Sequence, residues 1–373
     1  MVHSTNNSQI QRSKKILFHY LTAIFFLSCT QLSIALSIGT SSKTTFVSKT
    51  LLKATSISDA TANQTSTWKP KIKSLDERRL LRGLKHDNEL IGTKGFHHIE
   101  FYCGDAKSTA YRFSLALGMP VTCVTNQSTG NDQCSSYGIE SGDVRFLFTA
   151  PYSQVTAQFG QDQQQQSSQS NIVYDAPDPI PSFSVEDAHS FFKKHGIAAK
   201  AVALEVHSAS DSFSAAVSNG ATPILSPTTI HPSSSFLKEC ASASSCQMAE
   251  VKLYGDVVLR FVSFDLNENA KDSTSSSDSK GPFLPNYALH SNTRRSTYGL
   301  QRIDHAVGNV PDLLATLEEL IAFTGFHEFA EFTSEDVGTI DSGLNSVVLA
   351  SDSENVLLPL NEPTEGRYVQ IWE

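Results

Sequence analysis

His305 is the residue of this chain whose type and position are best suited to metal chemistry. It lies in residues 301–310 (QRIDHAVGNV), where β-branched and apolar side chains predict a strand. A strand holds an imidazole rigidly, and mononuclear iron sites with open positions commonly use two histidines and one carboxylate. Only 63 residues follow Val310, and almost none of them is suited to supply the other two ligands. We therefore expect a chain that stops before its active site is complete.

His98 is a second histidine in an apolar strand, at the position that corresponds to His305 in a sequence repeat. A histidine in such a strand is usually a hydrogen-bonded core residue rather than a metal ligand. The repeat that would face it carries Arg260, and not an acid, on its last strand. We therefore expect no metal ion at His98.

Three polar residues in the same part of the chain as His305 also need an assignment. Asp304 is its immediate neighbour, and successive side chains of a strand point to opposite faces, so we expect it not to bind the same ion. Glu362 lies beside a proline, where acids are usually solvated, which makes it a weak substitute ligand. Ser346 has no neighbouring base motif, so a hydrogen-bonding role is favoured over a nucleophilic one.

The elements that carry these residues occur three times along the chain. Each copy predicts a strand, a helix and a strand hairpin, which together form a βαβββ module. The predicted elements are 95–101, 106–117 and 135–148 in the first copy, 201–207, 209–219 and 247–264 in the second, and 302–307, 311–323 and 346–360 in the third. Two such modules make one closed sheet. The pattern therefore predicts an α+β fold with a complete N-terminal barrel and an incomplete C-terminal barrel.

The third module is predicted to expose an apolar concave face that expects a partner. The residues of this face are Ile303, Val307, Val347, Leu349, Val356 and Leu358. Large exposed apolar patches drive association. We therefore expect residues 298–373 to be unstable alone, to swap between chains or to aggregate.

The chain divides into four predicted parts. Residues 1–75 form a targeting segment, 90–265 an N-terminal domain, 266–297 a linker rich in Ser and Asp, and 298–373 the first half of a C-terminal catalytic domain. Residues 161–170 (QDQQQQSSQS) are too polar to form a core and predict a surface insertion.

The N-terminal segment has the composition of an import signal. Basic residues precede an apolar stretch, residues 16–29 (ILFHYLTAIFFLSC), and small residues follow it, as in signal peptides. Residues 37–70 are rich in Ser and Thr and contain a single acid, Asp59, as in organelle transit peptides. The combination predicts bipartite import into a plastid that is bounded by extra membranes. A mitochondrial presequence and plain secretion are the alternatives.

The composition is that of a globular protein and argues against a nucleic-acid-binding role. Of the 373 residues, 39% are hydrophobic and 22 are Phe, which suits a sizeable core. The formal net charge is -9, and no run of Lys and Arg is long enough to neutralise phosphates. The six cysteines form no CxxC pair and no zinc pattern. We therefore expect no nucleic-acid partner and, in the mature form, no membrane association.

Several long motifs resemble the 4-hydroxyphenylpyruvate dioxygenase family, and they occur in the family's order along residues 92–366. They are FHHIEF (96–101), SGDVRFLFTAPY (141–152), AEVKLYGD (249–256), LQRIDHAVGNV (300–310), FTGFH (323–327), SGLNS (342–346) and LPLNEP (358–363). The plant-like subgroup is the most similar, because the N-terminal half is long. The resemblance implies the vicinal-oxygen-chelate fold, in which four βαβββ modules form two barrels and only the second barrel binds Fe(II).

The resemblance also implies an activity. Enzymes of the family use Fe(II) and O2 to convert 4-hydroxyphenylpyruvate into homogentisate with release of CO2, in tyrosine breakdown and in the supply of tocopherol and plastoquinone. By position, His305 matches an iron ligand, and Ser346 and Asn361 match polar residues that line the substrate pocket. No residue is assigned a catalytic role. The implied partners are a small 2-keto acid and O2, and a homo-oligomer stays open.

The same resemblance implies what the chain lacks. In the family the second histidine and the glutamate come from the fourth module, which this chain lacks, so we expect a C-terminally truncated form. The alternative to a dioxygenase is a non-catalytic form without two of the three iron ligands. A second alternative is hydroxymandelate synthase, a catalytic relative that uses the same substrate and ligands.

Overall fold

The computed structural model describes residues 32–38, 78, 87–152, 179–232, 245–264, 283–290, 297–332 and 343–364. The strands are β1 (Leu32–Ile38), β2 (Thr93–Tyr102), β3 (Val121–Thr125), β4 (Cys134–Ser141), β5 (Val144–Pro151), β6 (Ala198–Val206), β7 (Pro223–Ile230), β8 (Cys246–Tyr254), β9 (Val257–Phe264), β10 (Ala288–Leu289), β11 (Leu300–Asn309), β12 (His327–Phe332), β13 (Gly343–Ala350) and β14 (Leu357–Thr364). The helices are α1 (Ala106–Leu117), α2 (Val185–His195), α3 (Ala209–Ser218) and α4 (Leu313–Thr324).

The strands form two sheets that contain the three predicted βαβββ modules. The nine-stranded sheet has the order β10-β3-β4-β5-β2-β6-β9-β8-β7, and the five-stranded sheet has the order β1-β11-β14-β13-β12. The predicted α+β class is confirmed. The larger sheet ends at β10 on one side and β7 on the other, so among the described strands it is not the closed barrel that we expected.

The first and third modules repeat the same local signals at both ends of their helix. Asp105 caps α1 by accepting from the backbone N–H of Ser108, and Asp312 caps α4 by accepting from that of Ala315. Gly118 and Gly325 end these helices in the left-handed region, with φ of 63° and 72°. The repeat seen in the sequence is therefore a structural repeat.

The apolar face predicted to be open in the third module is instead largely covered. Ile303, Val347, Leu349, Val356 and Leu358 are all buried, and they belong to one hydrophobic core that also contains residues of α4 and of the N-terminal modules. The prediction failed because alternation along a strand defines two faces but does not say which of them the helix covers. Only Val307 of the predicted set lies outside this core and is half-buried.

Backbone and side-chain contacts join the third module to the segment before β2 and to the second module. The N–H of Leu90 donates to the carbonyl oxygen of Thr324 at 2.9 Å. Arg78 pairs with Glu328 through two hydrogen bonds of 2.7 and 3.0 Å, and the arginine is buried. Gly308 packs against the ring of Tyr254, where a Cβ would lie 2.5 Å from Cζ. The three modules thus form one packed unit.

Two described stretches fall inside segments that the sequence assigned to targeting and to the linker. β1 lies within residues 1–75 and pairs with β11. Residues 283–290 lie within the predicted linker 266–297, yet β10 pairs with β3 and Tyr287 is fully buried, so this stretch of the linker belongs to the N-terminal core. The predicted insertion at 161–170 lies outside the described residues. No helix in the described part of the chain is long and apolar enough to cross a membrane.

Candidate metal and ligand site

His305 lies on β11 directly after a β-bulge. Ala35 pairs with His305 and Leu36 pairs with Ile303, so Asp304 has no residue opposite it. A bulge interrupts the alternation of side chains. The carboxylate of Asp304 consequently lies beside the imidazole, with Oδ2 3.1 Å from Nδ1. This corrects our expectation that Asp304 would point to the opposite face.

The Asp304 carboxylate orients His305 as a potential metal ligand. The hydrogen bond from His305 lowers the pKa of Asp304, against an opposing effect of burial, and the charge of Arg302 lowers it further. An ionised carboxylate accepts from Nδ1–H and leaves the lone pair of Nε2 free in a neutral imidazole. Metal-bound histidines commonly have this second partner. The His305 side chain is 31% exposed, which leaves it accessible.

The two residues predicted to line the substrate pocket lie on the same face of this sheet as His305. Asn309 pairs with Asn361, and Ser346 pairs with Asn361 on its other side. His305 and Asn309 are four residues apart, so their side chains share a face. Asn361 Nδ2 donates to Asn309 Oδ1 at 3.4 Å, and Ser346 is buried. The structure therefore brings His305, Ser346 and Asn361 to one face.

The described residues supply one metal ligand and not a complete site. No group of three His, Cys, Asp or Glu side chains within them is placed to hold a metal ion. Glu362, the weak substitute ligand, accepts a hydrogen bond of 3.2 Å from the N–H of Leu313 at the start of α4. A three-ligand iron site is therefore not formed by the described residues, although His305 itself is suitable for one.

Asn309 is a residue of this face that the sequence analysis missed. Its position opposite Asn361 follows from the parallel pairing of β11 and β14. Its counterpart in the first module is Tyr102, opposite Thr149 on β5. Extending the alignment of the first and third modules four residues beyond His98 and His305 matches Tyr102 to Asn309. This extension was the sequence signal that could have identified Asn309.

The modules and their pairing define an α+β protein of the vicinal-oxygen-chelate type. Among solved structures, a triple mutant of 4-hydroxymandelate synthase from Streptomyces coelicolor superposes with a TM-score of 0.51 at 15% identity, over 73% of this chain and 64% of that one. At that identity the likeness concerns the fold alone. No protein-family model matches the chain.

Over about three quarters of its length the chain is related to the 4-hydroxyphenylpyruvate dioxygenases of plants, as the motifs predicted. The enzyme of Plectranthus scutellarioides is 47% identical over 274 residues, which are 73% of this chain and 54% of the relative. That of Daucus carota is 47% identical over 279 residues (74% and 54%), and that of Arabidopsis thaliana is 46% identical over 275 residues (73% and 55%). The chain thus spans about half the length of these relatives.

Proposed function

We propose that the protein is an Fe(II)- and O2-dependent dioxygenase that converts 4-hydroxyphenylpyruvate into homogentisate with release of CO2. The identity of 46 to 47% with plant enzymes of that name supports it. The observation that carries it is the arrangement around His305, whose Nδ1 is held by Asp304 while Nε2 is left free on the face that carries Ser346 and Asn361. The comparisons do not favour the non-catalytic hypothesis.

Each residue of this face has a role in the proposal that its chemistry allows. His305 would bind Fe(II) through Nε2 as one of its protein ligands. Asp304 would fix the tautomer and the ring orientation of His305. Ser346 and Asn361 carry neutral hydroxyl and amide groups, which suit hydrogen bonds to the polar groups of a small 2-keto acid. The expected partners are thus this substrate and O2.

The identity of the product tests the proposal. The purified full chain is incubated with Fe(II), ascorbate and 4-hydroxyphenylpyruvate, and O2 uptake is recorded together with chromatography of the products. We expect homogentisate in proportion to the O2 consumed. Formation of 4-hydroxymandelate would instead assign the related synthase activity, and no O2 uptake above a blank without protein would support the non-catalytic hypothesis.

A further inference from the structure

The first and third modules can be aligned by their strand pairing without reference to sequence similarity. In the third module Asn309 lies opposite Asn361, at the end of the parallel pair β11 and β14. In the first module Tyr102 lies opposite Thr149, at the end of the parallel pair β2 and β5. Thr149 therefore corresponds to Asn361.

The same alignment matches the other two residues of the site. Ser136 lies opposite Thr149 on β4, as Ser346 lies opposite Asn361 on β13. His98 precedes Tyr102 by four residues, as His305 precedes Asn309. His98, Ser136 and Thr149 are thus the N-terminal equivalents of His305, Ser346 and Asn361.

The β-bulge beside the histidine is repeated as well. His98 pairs with Ala203 and Phe96 with Leu204, which leaves His97 without an opposite residue. The side chain of His97 contacts Nδ1 of His98 through its own Nδ1 at 2.7 Å, as Asp304 contacts Nδ1 of His305. Both histidines are therefore held at Nδ1 by the bulged residue before them, with Nε2 left to face the site.

At His98 the group that faces Nε2 is a guanidinium ion. Arg260 donates from Nη1 to Nε2 of His98 at 2.9 Å, from Nη2 to Glu100 at 2.8 Å and from Nε to Glu250 at 2.6 Å. All four side chains are at most 2% exposed. A buried charge requires such partners. The guanidinium thus lies against Nε2 of His98, in the place where a metal ion would lie against Nε2 of His305. We call this place the cation position.

The hydrogen bonds fix both imidazoles of this cluster as neutral. Arg260 can only donate, so Nε2 of His98 is unprotonated and its Nδ1–H donates to His97. Burial lowers the pKa of both histidines, and the charge of Arg260 adds to the effect. His97 then carries its proton on Nε2, a buried atom for which the described residues offer no hydrogen-bond partner. His98 thus presents a lone pair to a cation, as a metal ligand does.

In the N-terminal modules, a phenol fills the place that corresponds to the substrate position beside Ser346 and Asn361. Tyr287 is fully buried and its hydroxyl donates to Ser136 Oγ at 3.1 Å. Ser136 lies 2.9 Å from Thr149 Oγ1, and Thr149 donates to Glu100 at 2.7 Å. Burial raises the pKa of Tyr287 well above its ordinary value, so the phenol is a donor. Its hydroxyl therefore contacts Ser136, which corresponds to Ser346, and Ser136 in turn contacts Thr149, which corresponds to Asn361.

We propose that the two N-terminal modules contain a second, self-occupied copy of the site, in which Arg260 fills the cation position and Tyr287 fills the position of a phenolic ligand. Removal of either side chain opens a site for the matching ligand, a small phenol or a divalent transition-metal ion. The match of the two sites uses strand pairing alone and is independent of the dioxygenase activity, whereas the correspondence of Tyr287 to a phenolic ligand rests on the proposed substrate.

The phenol position is tested with the Tyr287→Gly variant of the full chain and p-cresol, using toluene as the apolar control. The matched variant is Phe283→Gly, which removes a neighbouring buried ring that stacks edge-on against Tyr287. We expect p-cresol to bind Tyr287→Gly about tenfold more tightly than toluene, because only the phenol satisfies Ser136. We expect Ser136→Ala in the same background to abolish that preference, and Phe283→Gly to show none.

Equal affinities for p-cresol and toluene in Tyr287→Gly, or the same preference in Phe283→Gly, would overturn the phenol position. If Tyr287→Gly is unfolded without ligand, near-ultraviolet circular dichroism in the presence of p-cresol decides the question. A rise in the folded fraction with p-cresol but not with toluene supports the proposal, and no rise contradicts it.

The cation position is tested with Arg260→Ala in a His305→Ala background, which removes the C-terminal histidine as a competing site. Co2+ is the probe, because its visible absorption reports histidine coordination. We expect a visible band and a rise in melting temperature with Co2+, neither of which occurs with His305→Ala alone. Adding His98→Phe should remove both. Absence of Co2+ binding to the variant, or binding that survives His98→Phe, would overturn the cation position.

Discussion

Asp304 Oδ2 lies 3.1 Å from His305 Nδ1, although the two residues are neighbours on one strand. The β-bulge makes this contact, because it places adjacent side chains on the same side of the sheet. The contact sets the tautomer that leaves Nε2 of His305 free for a metal ion.

Asp304→Asn should weaken metal binding at His305 by about 10- to 100-fold, as loss of such a second partner does in metal sites. The amide of asparagine can still accept from Nδ1–H but carries no charge. Titration of the full chain with Co2+ measures the effect. Arg302→Gln is the matched control, because Arg302 touches Asp304 and not His305. Equal affinities for wild type and Asp304→Asn would show that the carboxylate does not tune the site.

The buried pair of Arg78 and Glu328 should contribute strongly to the stability of the folded chain. Breaking a buried pair leaves an uncompensated charge, and we expect Glu328→Gln to lower the free energy of unfolding by about 3 kcal/mol. Glu205→Gln provides the comparison. Glu205 pairs with Lys94 at 3.4 Å, and the side chain of Glu205 is more than a third exposed. That change should cost less than about 1 kcal/mol. Chemical denaturation measures the free energy of unfolding of both variants. An equally small loss in the two variants would contradict a large contribution of the buried pair.

Gly308→Ala should disturb the contact between β11 and β8. The new Cβ would lie 2.5 Å from Cζ of Tyr254, which must move, and overpacking of this kind costs about 1–3 kcal/mol. Gly95→Ala is the control, because a Cβ added there would meet no atom within 4 Å, and Gly95 too lies in the first strand of a module. Thermal unfolding compares them. A neutral Gly308→Ala would mean that the modules are not packed as tightly as described.

Much of the fold could be predicted from the sequence, and the exceptions have physical causes. The helical spacing of its leucines identified α4, predicted over 311–323 and observed over Leu313–Thr324, and the helix α1 was predicted at its observed bounds, 106–117. These signals are local. The bulge at Asp304 and the cluster around Arg260 depend on partners far along the chain, such as Glu100, 160 residues away. No local pattern encodes such contacts.

The roles of the candidate site residues stay a prediction, although their placement can be compared with the sequence analysis. The family motifs identified His305, Ser346 and Asn361, and strand pairing places them on one face. The motifs did not reveal which face of the third module is covered. Burial of Ile303 and Leu349 against α4 depends on how the helix packs on the sheet, and alternation alone is silent about it.

Import into a plastid stays a prediction, and it implies that the mature chain lacks the N-terminal segment. We expect the mature protein to begin well after residue 35 and near residues 60–70, because the transit-like composition extends that far. Cleavage there would remove β1 and free the edge of β11 opposite His305. N-terminal sequencing of protein from its source cell measures the start. Retention of Met1 or Val2 would contradict import with cleavage.

The most direct test of the dioxygenase function is the rate of homogentisate formation by the wild-type chain and by His305→Ala, at saturating Fe(II) and 4-hydroxyphenylpyruvate. His98→Ala serves as the comparison, because His98 lies in the N-terminal cluster and faces Arg260 instead of a free position. We expect wild type and folded His98→Ala to form homogentisate, and His305→Ala to fall to the rate without protein. Homogentisate formation by His305→Ala at the wild-type rate would contradict the assignment of His305 as the iron ligand of this chain.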